Sequence, residues 1–390
     1  FLQKQGESRY ARTLEVPATR GKIMDRNGEV MATSLPVRAI EASPDDVQAS
    51  TEQLQELATL LGIGYGELKK KLDSDRNFVY LKHQVEPDLA KRILDLNIPG
   101  IRTSKEYKRS YPAGPAAAHL LGFTDFQDVG KEGIEYIQQK SLAGVTGSRR
   151  VIRDRQGRVV EDVAHLREPR DGRDLTLSID NKIQYLAFTQ LQQAVDKFNA
   201  KAGAIVVLDV KTGEVLAMVN MPTFNPNNRQ GVDPSVMRNR VMTDTFEPGS
   251  TMKPFTIARA LDKGLITPDT VIDTPPKLTM GPATIGDSHP HASAMTVTNI
   301  IGQSSNVGTV KIAQKLESHD MWDIFTAAGF GQQPRFGFPG AVAGRMKPYK
   351  SWRPIEQATI SYGQGISVSL IQLARAYMMF ARNGEMIPLS

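Results

Sequence analysis

From Asp174 onward the chain reads as a strand, a helix, a strand pair and then a run of helices, and this order suits an α+β domain built on an antiparallel sheet. Alternation over Asp174 to Ile179 predicts the first strand. Asp180 is placed to cap a helix whose Ile183, Leu186, Ala187, Leu191, Ala194, Val195 and Phe198 share one face. Gly203 to Val210 and Glu214 to Asn220 are apolar, β-branched runs joined by a turn at Lys211-Thr212-Gly213. Further helices are predicted over Lys253 to Lys263, Thr296 to Lys315 and Ser367 to Asn383.

The preceding part has another character. It begins extended and punctuated by Pro and Gly, then holds short helical pieces such as Thr51 to Leu61, with Leu54, Leu57, Ala58 and Leu61 on one face and Gly62 as the stop. Asp25-Arg26-Asn27-Gly28 predicts a tight hairpin turn in which Asn-Gly supplies the positive φ angles. No cluster of potential catalytic groups occurs here. Gly147 to Gly172 is charged and turn-rich, with breaks at Arg155-Gln156-Gly157 and Asp171-Gly172, and reads as a hinge. The boundary is placed there, giving domains 1–165 and 166–390. With 390 residues, 40% of them hydrophobic, both can bury a core.

Composition removes several functions. The formal charge of +6 divides evenly, with 27 Lys/Arg against 24 Asp/Glu up to residue 170 and 21 against 18 beyond it. No focused basic field results, so a nucleic-acid partner is not expected, although an anionic wall or lipid surface would suit the mild excess. The absence of cysteine excludes thiol nucleophiles, thiolate zinc sites and disulfides. His289 and His291 flank Pro290 without a completing acidic and histidine set, so neither a metal nor any other cofactor is expected. No apolar run is long enough to span a bilayer. The abrupt start at Phe1-Leu2-Gln3-Lys4 suggests a cut just after something, for which an anchoring helix is one candidate.

The strongest chemical signal is Phe246-Glu247-Pro248-Gly249-Ser250-Thr251-Met252-Lys253-Pro254-Phe255. Pro248 and Gly249 break any preceding element, and the apolar stretch that follows reads as a helix, so Ser250 falls on its first turn. A step of three residues returns to the same helix face and sets Lys253 beside the Ser250 hydroxyl. Serine is a poor nucleophile until a neighbour takes its proton, and a desolvated lysine can do so near neutral pH. The positive helix end favours developing negative charge. Taken alone, Ser-x-x-Lys is a common tetrapeptide, with the serine as an N-cap and the lysine as a solvated charge.

Context alters that reading. In Ile301-Gly302-Gln303-Ser304-Ser305-Asn306-Val307-Gly308 a polar triplet interrupts an apolar helical region. Ser and Asn favour turns over helix interiors. The triplet is either a helix-to-helix turn with local partners or the wall of a cleft, where a hydroxyl relays a proton and an amide orients substrate or lysine.

Together the two motifs resemble the penicilloyl-serine transpeptidases, in which Ser-x-x-Lys precedes Ser-x-Asn and a later Lys-Ser/Thr-Gly. Adding Asp287-Ser288-His289-Pro290-His291 and Ser361-Tyr362-Gly363-Gln364-Gly365-Ile366, the chain is similar to class B penicillin-binding proteins of the cell-division type. Elongation-type relatives usually carry Asp at the position of Asn306. Arg20-Gly21-Lys22-Ile23-Met24-Asp25-Arg26-Asn27-Gly28 and Gly130-Lys131-Glu132-Gly133-Ile134-Glu135 resemble the segment before the catalytic domain in that class. The implied fold is α+β: a serine-transpeptidase-like domain, antiparallel sheet with helical cluster, preceded by an elongated mixed α/β pedestal of dimerisation type.

The resemblance implies acyl transfer by Ser250, with Lys253 as base, Ser304 as proton relay and Asn306 holding the substrate amide and the lysine. Thr251, Ser305, Gly363, Gln364 and Gly365 are expected substrate contacts. Implied partners are peptidoglycan stem peptides, β-lactam antibiotics, a polytopic septal glycosyltransferase and other division proteins. The implied location is the periplasmic face of the inner membrane at the septum, with an anchor before Phe1. One departure is that no Lys-Ser/Thr-Gly lies between Gly365 and Ser390. Lys211-Thr212-Gly213 precedes the nucleophile at a hairpin tip and receives no catalytic role. A missing C-terminal portion is therefore expected, and the alternative readings are a catalytically incomplete scaffold or β-lactam sensor of the same fold, or an elongation-type transpeptidase.

Overall fold

A computed structural model of the chain describes residues 11–153 and 159–390, which form two compact units. The first comprises the chain up to Leu177 together with Asn225–Gly231. The boundary expected at 165/166 falls inside a strand, and the chain leaves this unit only after Leu177. The break at Arg155-Gln156-Gly157 and the opening Phe1-Leu2-Gln3-Lys4 lie outside the described residues.

Two sheets build the first unit. One carries the antiparallel order β1 (Ala11–Val16), β6 (Gly147–Arg153), β7 (Val159–Arg167). The other centres on β3 (Val30–Ala42), which pairs antiparallel with β2 (Ile23–Met24), β4 (Val79–Val85) and β5 (Ile101–Ser110). The strand predicted over Asp174 to Ile179 is reduced to β8 (Leu175–Thr176), and its parallel pairing with β2 puts it in this sheet. Helix α1 (Thr51–Leu61) matches its predicted bounds, opened by a Ser50/Gln53 capping box and closed by Gly62 at φ 64°. With α2 (Tyr65–Leu72) and α3 (Pro87–Leu94) it covers β3 and β4 through Leu57, Leu61, Leu68, Leu81 and Ile93.

The hairpin turn at 25–28 forms, but Gly28 alone takes positive φ, at 86°. Asp25 does the remaining work, its Oδ1 accepting the amides of Asn27 and Glu29 at 2.8 Å each. Deeper in the unit, Glu135 is enclosed by two arginines. Its Oε2 accepts from Arg20 Nε at 2.6 Å and its Oε1 from Arg109 Nε at 2.7 Å, and no side chain of the three is more than 2% exposed. Arg20 also donates to the Gln139 side chain and to the Asp128 and Glu135 carbonyls. Such a cluster tolerates burial because one carboxylate answers both guanidiniums and every nitrogen of Arg20 has a fixed partner, although Arg109 Nη2 has none among the described residues.

In the second unit, Asp180 caps α4 (Asn181–Phe198), accepting from the amides of Lys182 and Ile183. Ala187 and Leu191 pack on the hairpin of β9 (Gly203–Leu208) and β10 (Val215–Met221), with Ile183 and Val195 beside them. The apolar face is narrower than predicted. Leu186 and Phe198 are 60% and 72% exposed, because the hairpin covers only a strip of the helix. At the hairpin tip, Asp209 Oδ1 accepts from Lys211 and Thr212, and Gly213 takes φ 78°, so Lys211-Thr212-Gly213 is turn geometry.

A short ladder, β11 (Thr245–Phe246) against β16 (Val368–Ser369), precedes the main helix α5 (Lys253–Asp262). Met252, Phe255, Ile257 and Ala260 are fully buried in the largest core, where Phe255 meets Phe330 edge-on at 5.3 Å. Burying one such side chain contributes about 2–3 kcal/mol, so the register of α5 is firmly set. Strands β12 (Val271–Asp273), β13 (Lys277–Met280), β14 (Ala283–Gly286) and β15 (Ala294–Thr296) make two small antiparallel pairs, β12 with β15 and β13 with β14. The helix predicted over Thr296 to Lys315 is two, α6 (Val297–Gly302) and α7 (Asn306–Ala313). They are separated at Ser304, whose φ of 56° cannot continue a right-handed helix. Helices α8 (Ser318–Ala327), α9 (Pro354–Ser361) and α10 (Leu370–Ala381) complete the unit.

Candidate active site

Gly249, at φ 57°, turns the chain into a tight 3-10 turn, Gly249–Met252, that runs on into α5. Ser250 therefore lies at a helix start, where backbone N–H groups have no preceding carbonyls to bond. It is exposed, and its hydroxyl has no hydrogen bond among the described residues. Thr251 turns its hydroxyl back to the Pro248 carbonyl at 2.7 Å, and its own carbonyl accepts from Tyr377 Oη at 2.7 Å. Those bonds brace the turn.

One helical step on, Lys253 is 2% exposed. Its Nζ donates to the carbonyl of Ser304 and to Ser304 Oγ, the latter at 3.0 Å, across 51 residues of sequence. No carboxylate lies within ion-pair distance of it among the described residues. Burial pulls its pKa from 10.5 down to about 8, against an opposing upward pull from the Asp287 carboxylate. A lysine in this state holds a usable fraction of free base near neutral pH.

The break between α6 and α7 supplies the second half of the site. Positive φ at Ser304 presents both its carbonyl and its hydroxyl to Lys253. Ser305, expected as a substrate contact, is fully buried instead: its hydroxyl donates to Asp287 Oδ2 at 2.8 Å and accepts from the Gly308 amide at 2.9 Å. It is the N-cap of α7. Asn306 also departs from expectation. Its Nδ2 donates to the Gly286 carbonyl at 3.0 Å, so Ser304 alone of the triplet grips the lysine.

Asp287 is the residue sequence reasoning missed. Its carboxylate accepts from the Ser305 hydroxyl and from the amides of Asn306 and Val307, bracing the start of α7, where negative charge is favoured. It also stands near enough to Lys253 to act on its charge. The only available signal was an acidic residue opening Asp287-Ser288-His289-Pro290-His291. His291 faces the same cluster, with Nε2 3.9 Å from Asp287 Oδ2 and Nδ1 3.0 Å from Gln303 Oε1, while His289 is exposed. Among the described residues no group of three or more His, Cys, Asp or Glu gathers in metal-binding geometry.

The segment Ser361 to Ile366 flanks Ser250. Gly249 N–H donates to the Gly363 carbonyl at 3.1 Å, and Gly365 N–H donates to Glu247 Oε1 at 2.8 Å. Gly363, at φ 85°, lies so near that a Cβ there would stand 2.1 Å from the Gly249 oxygen. Gln364 is exposed between them. The arrangement thus unites a serine at a helix start, a depressed-pKa lysine one turn on, and a hydroxyl and carbonyl holding that lysine. Chemically it suits acyl transfer through a serine ester.

Comparisons with known proteins agree with this chemistry. Residues 203–390 match the penicillin binding protein transpeptidase domain, and residues 15–177 match the penicillin-binding protein dimerisation domain. The chain is 42% identical, over its whole length and 68% of the relative's, to a probable peptidoglycan D,D-transpeptidase PenA of Neisseria gonorrhoeae. It is 39% identical to the peptidoglycan D,D-transpeptidase FtsI of Escherichia coli, covering all of this chain and 67% of that protein. Its structure resembles a peptidoglycan synthetase from Bifidobacterium adolescentis with TM-score 0.73 at 28% identity, covering 97% of this chain and 74% of the other.

Proposed function

The chain belongs to the class B penicillin-binding proteins, serine D,D-transpeptidases that cross-link peptidoglycan stem peptides at the septum and are acylated by β-lactams, and from that premise we propose a role for each residue of its site. Ser250 is the nucleophile. Neutral Lys253 takes its proton as Ser250 Oγ bonds to the carbonyl carbon of the penultimate D-Ala. The oxyanion that forms meets the Ser250 N–H and the positive helix end. Ser304, hydrogen-bonded to Lys253, passes that proton to the terminal D-Ala amine as its C–N bond breaks.

The resulting ester is resolved by the amine of a second stem peptide, and Lys253 and Ser304 return a proton to Ser250. Asn306, fixed by Gly286, keeps its amide oxygen for the donor peptide backbone. Gly363, Gln364 and Gly365 form the wall along which that peptide lies. Asp287 and Ser305 hold the α6–α7 break in shape. The setting is the periplasmic side of the membrane, with an anchoring helix before Phe1 and contacts to a polytopic septal glycosyltransferase and other division proteins. No helix among the described residues is long and apolar enough to cross a membrane.

The observation that carries this reading is the bond between buried Lys253 and Ser304, which joins two motifs 51 residues apart beside the exposed serine. Intact-protein mass spectrometry with benzylpenicillin tests it. The parent chain gains one drug mass and Ser250→Ala gains none; a Ser250→Ala protein still acylated would overturn the assignment.

A further inference from the structure

The ladder that leads to the nucleophile does not end with its two strands. Beyond the Thr245↔Ser369 and Phe246↔Val368 pairs, the two segments stay side by side through Glu247 with Gly365 and Gly249 with Gly363. Ser250 follows directly. Glu247 is thus held three residues ahead of the nucleophile, against the same tripeptide that flanks it. One carboxylate oxygen accepts the Gly365 N–H at 2.8 Å. The other has no partner among the described residues, and the residue is exposed.

A carboxylate is more than that bond requires, since a neutral amide oxygen would accept the Gly365 N–H equally well. The spare negative charge beside the serine has a use in the second half-reaction, whose nucleophile arrives as an ammonium. We propose that the free oxygen of Glu247 is the docking point for the ammonium of the acceptor strand, drawing it to the Ser250 ester. This rests on Ser250 being the acylated residue. The ammonium binds Glu247 by a charge-assisted hydrogen bond, releases one proton to solvent, and the neutral amine attacks the ester carbon. Lys253 takes the second proton from the attacking nitrogen and delivers it to Oγ as the C–O bond to Ser250 breaks, leaving the amide.

Glu247→Gln keeps the acceptor for Gly365 and removes the charge, so it separates docking from bracing. The full chain would be acylated from a D-Ala-type thioester, and its partition measured among water, D-alaninamide, which is largely an ammonium at pH 7, and hydroxylamine, which is largely neutral there. In Glu247→Gln, transfer to D-alaninamide falls about fivefold, the upper range for an exposed ion pair, while hydrolysis, transfer to hydroxylamine and benzylpenicillin acylation stay within about twofold. Raised salt lowers D-alaninamide transfer in the parent and leaves the variant unchanged. Unaltered D-alaninamide transfer in the variant, or an equal loss with hydroxylamine, would overturn the docking role. A parent chain that forms no Ser250 ester with thioester or penicillin would instead overturn the reading of the site.

Discussion

Both units bury basic side chains, and the two units treat them in opposite ways. In the first, Arg20 and Arg109 close on Glu135 with short ion pairs, and Arg20 has a hydrogen-bond partner for every nitrogen. In the second, Lys253 is buried without an ion-pair partner and held by an uncharged serine. Guanidinium cannot give up its proton and is answered with a carboxylate. The lysine is left under-compensated, and its pKa falls to about 8. Full pairing yields a fixed strut, and incomplete pairing yields a base.

The largest effect expected from that contrast is on chemistry. Lys253→Met removes the proposed proton acceptor, and penicillin acylation falls about 10²–10⁴-fold, as measured by stopped-flow or quenched mass spectrometry. Folding survives, because the change deletes an unpaired buried charge. Glu135→Ala has the opposite profile: it strands two buried guanidiniums and costs about 3–5 kcal/mol of stability in urea unfolding, while the folded fraction is acylated at the parental rate. If Glu135→Ala slowed acylation of folded protein, or Lys253→Met unfolded it, the comparison would break.

Gly363→Ala is the next step down. The added methyl collides with the Gly249 backbone and is strained at φ 85°, so acylation slows about tenfold to a hundredfold and the melting temperature falls with it.

The pH dependence sharpens the comparison without mutation. With Lys253 near 8, the acylation rate rises about fivefold from pH 7 to 8 and levels off above, because the neutral amine is the active form. Stability follows the same group. A lysine lowered in the folded state binds fewer protons there than when unfolded, so the cost of burying its charge is complete below about pH 8 and fades as pH rises toward 10.5. Parental stability therefore increases with pH across that window and Lys253→Met stability does not, as urea titrations at pH 7 and 9 would show. Lys211→Ala gives the smallest effect, within about 0.5 kcal/mol and with unchanged acylation, since that lysine is exposed at a hairpin tip.

Much of this was written in local pattern. The bounds of α1, the Asp180 cap, the β9–β10 hairpin and α5 follow from spacing, capping residues and turn chemistry, which act within a few residues. The motifs that hold Lys253 and Ser304 could be picked out because each is short, and the structure brings those two residues together. What escaped depends on distant partners. Glu135 meets Arg20 across 115 residues, and Asp287 earns its place only when α7 turns its first amides toward it. Ser305 looked available to substrate, and burial assigned it to a cap. The long helix over Thr296 to Lys315 failed at Ser304, where gripping the lysine outweighed helix continuity.

Because Ser304 grips Lys253 with its main-chain carbonyl as well as its side chain, the basicity of the enzyme is wired into backbone shape. Substitutions along α6, α7 or the Asp287 loop that nudge this peptide would retune how fast an antibiotic is captured while leaving every motif residue intact. Drug resistance in such a protein can therefore arise silently, from positions that a search of its signature sequences would pass over.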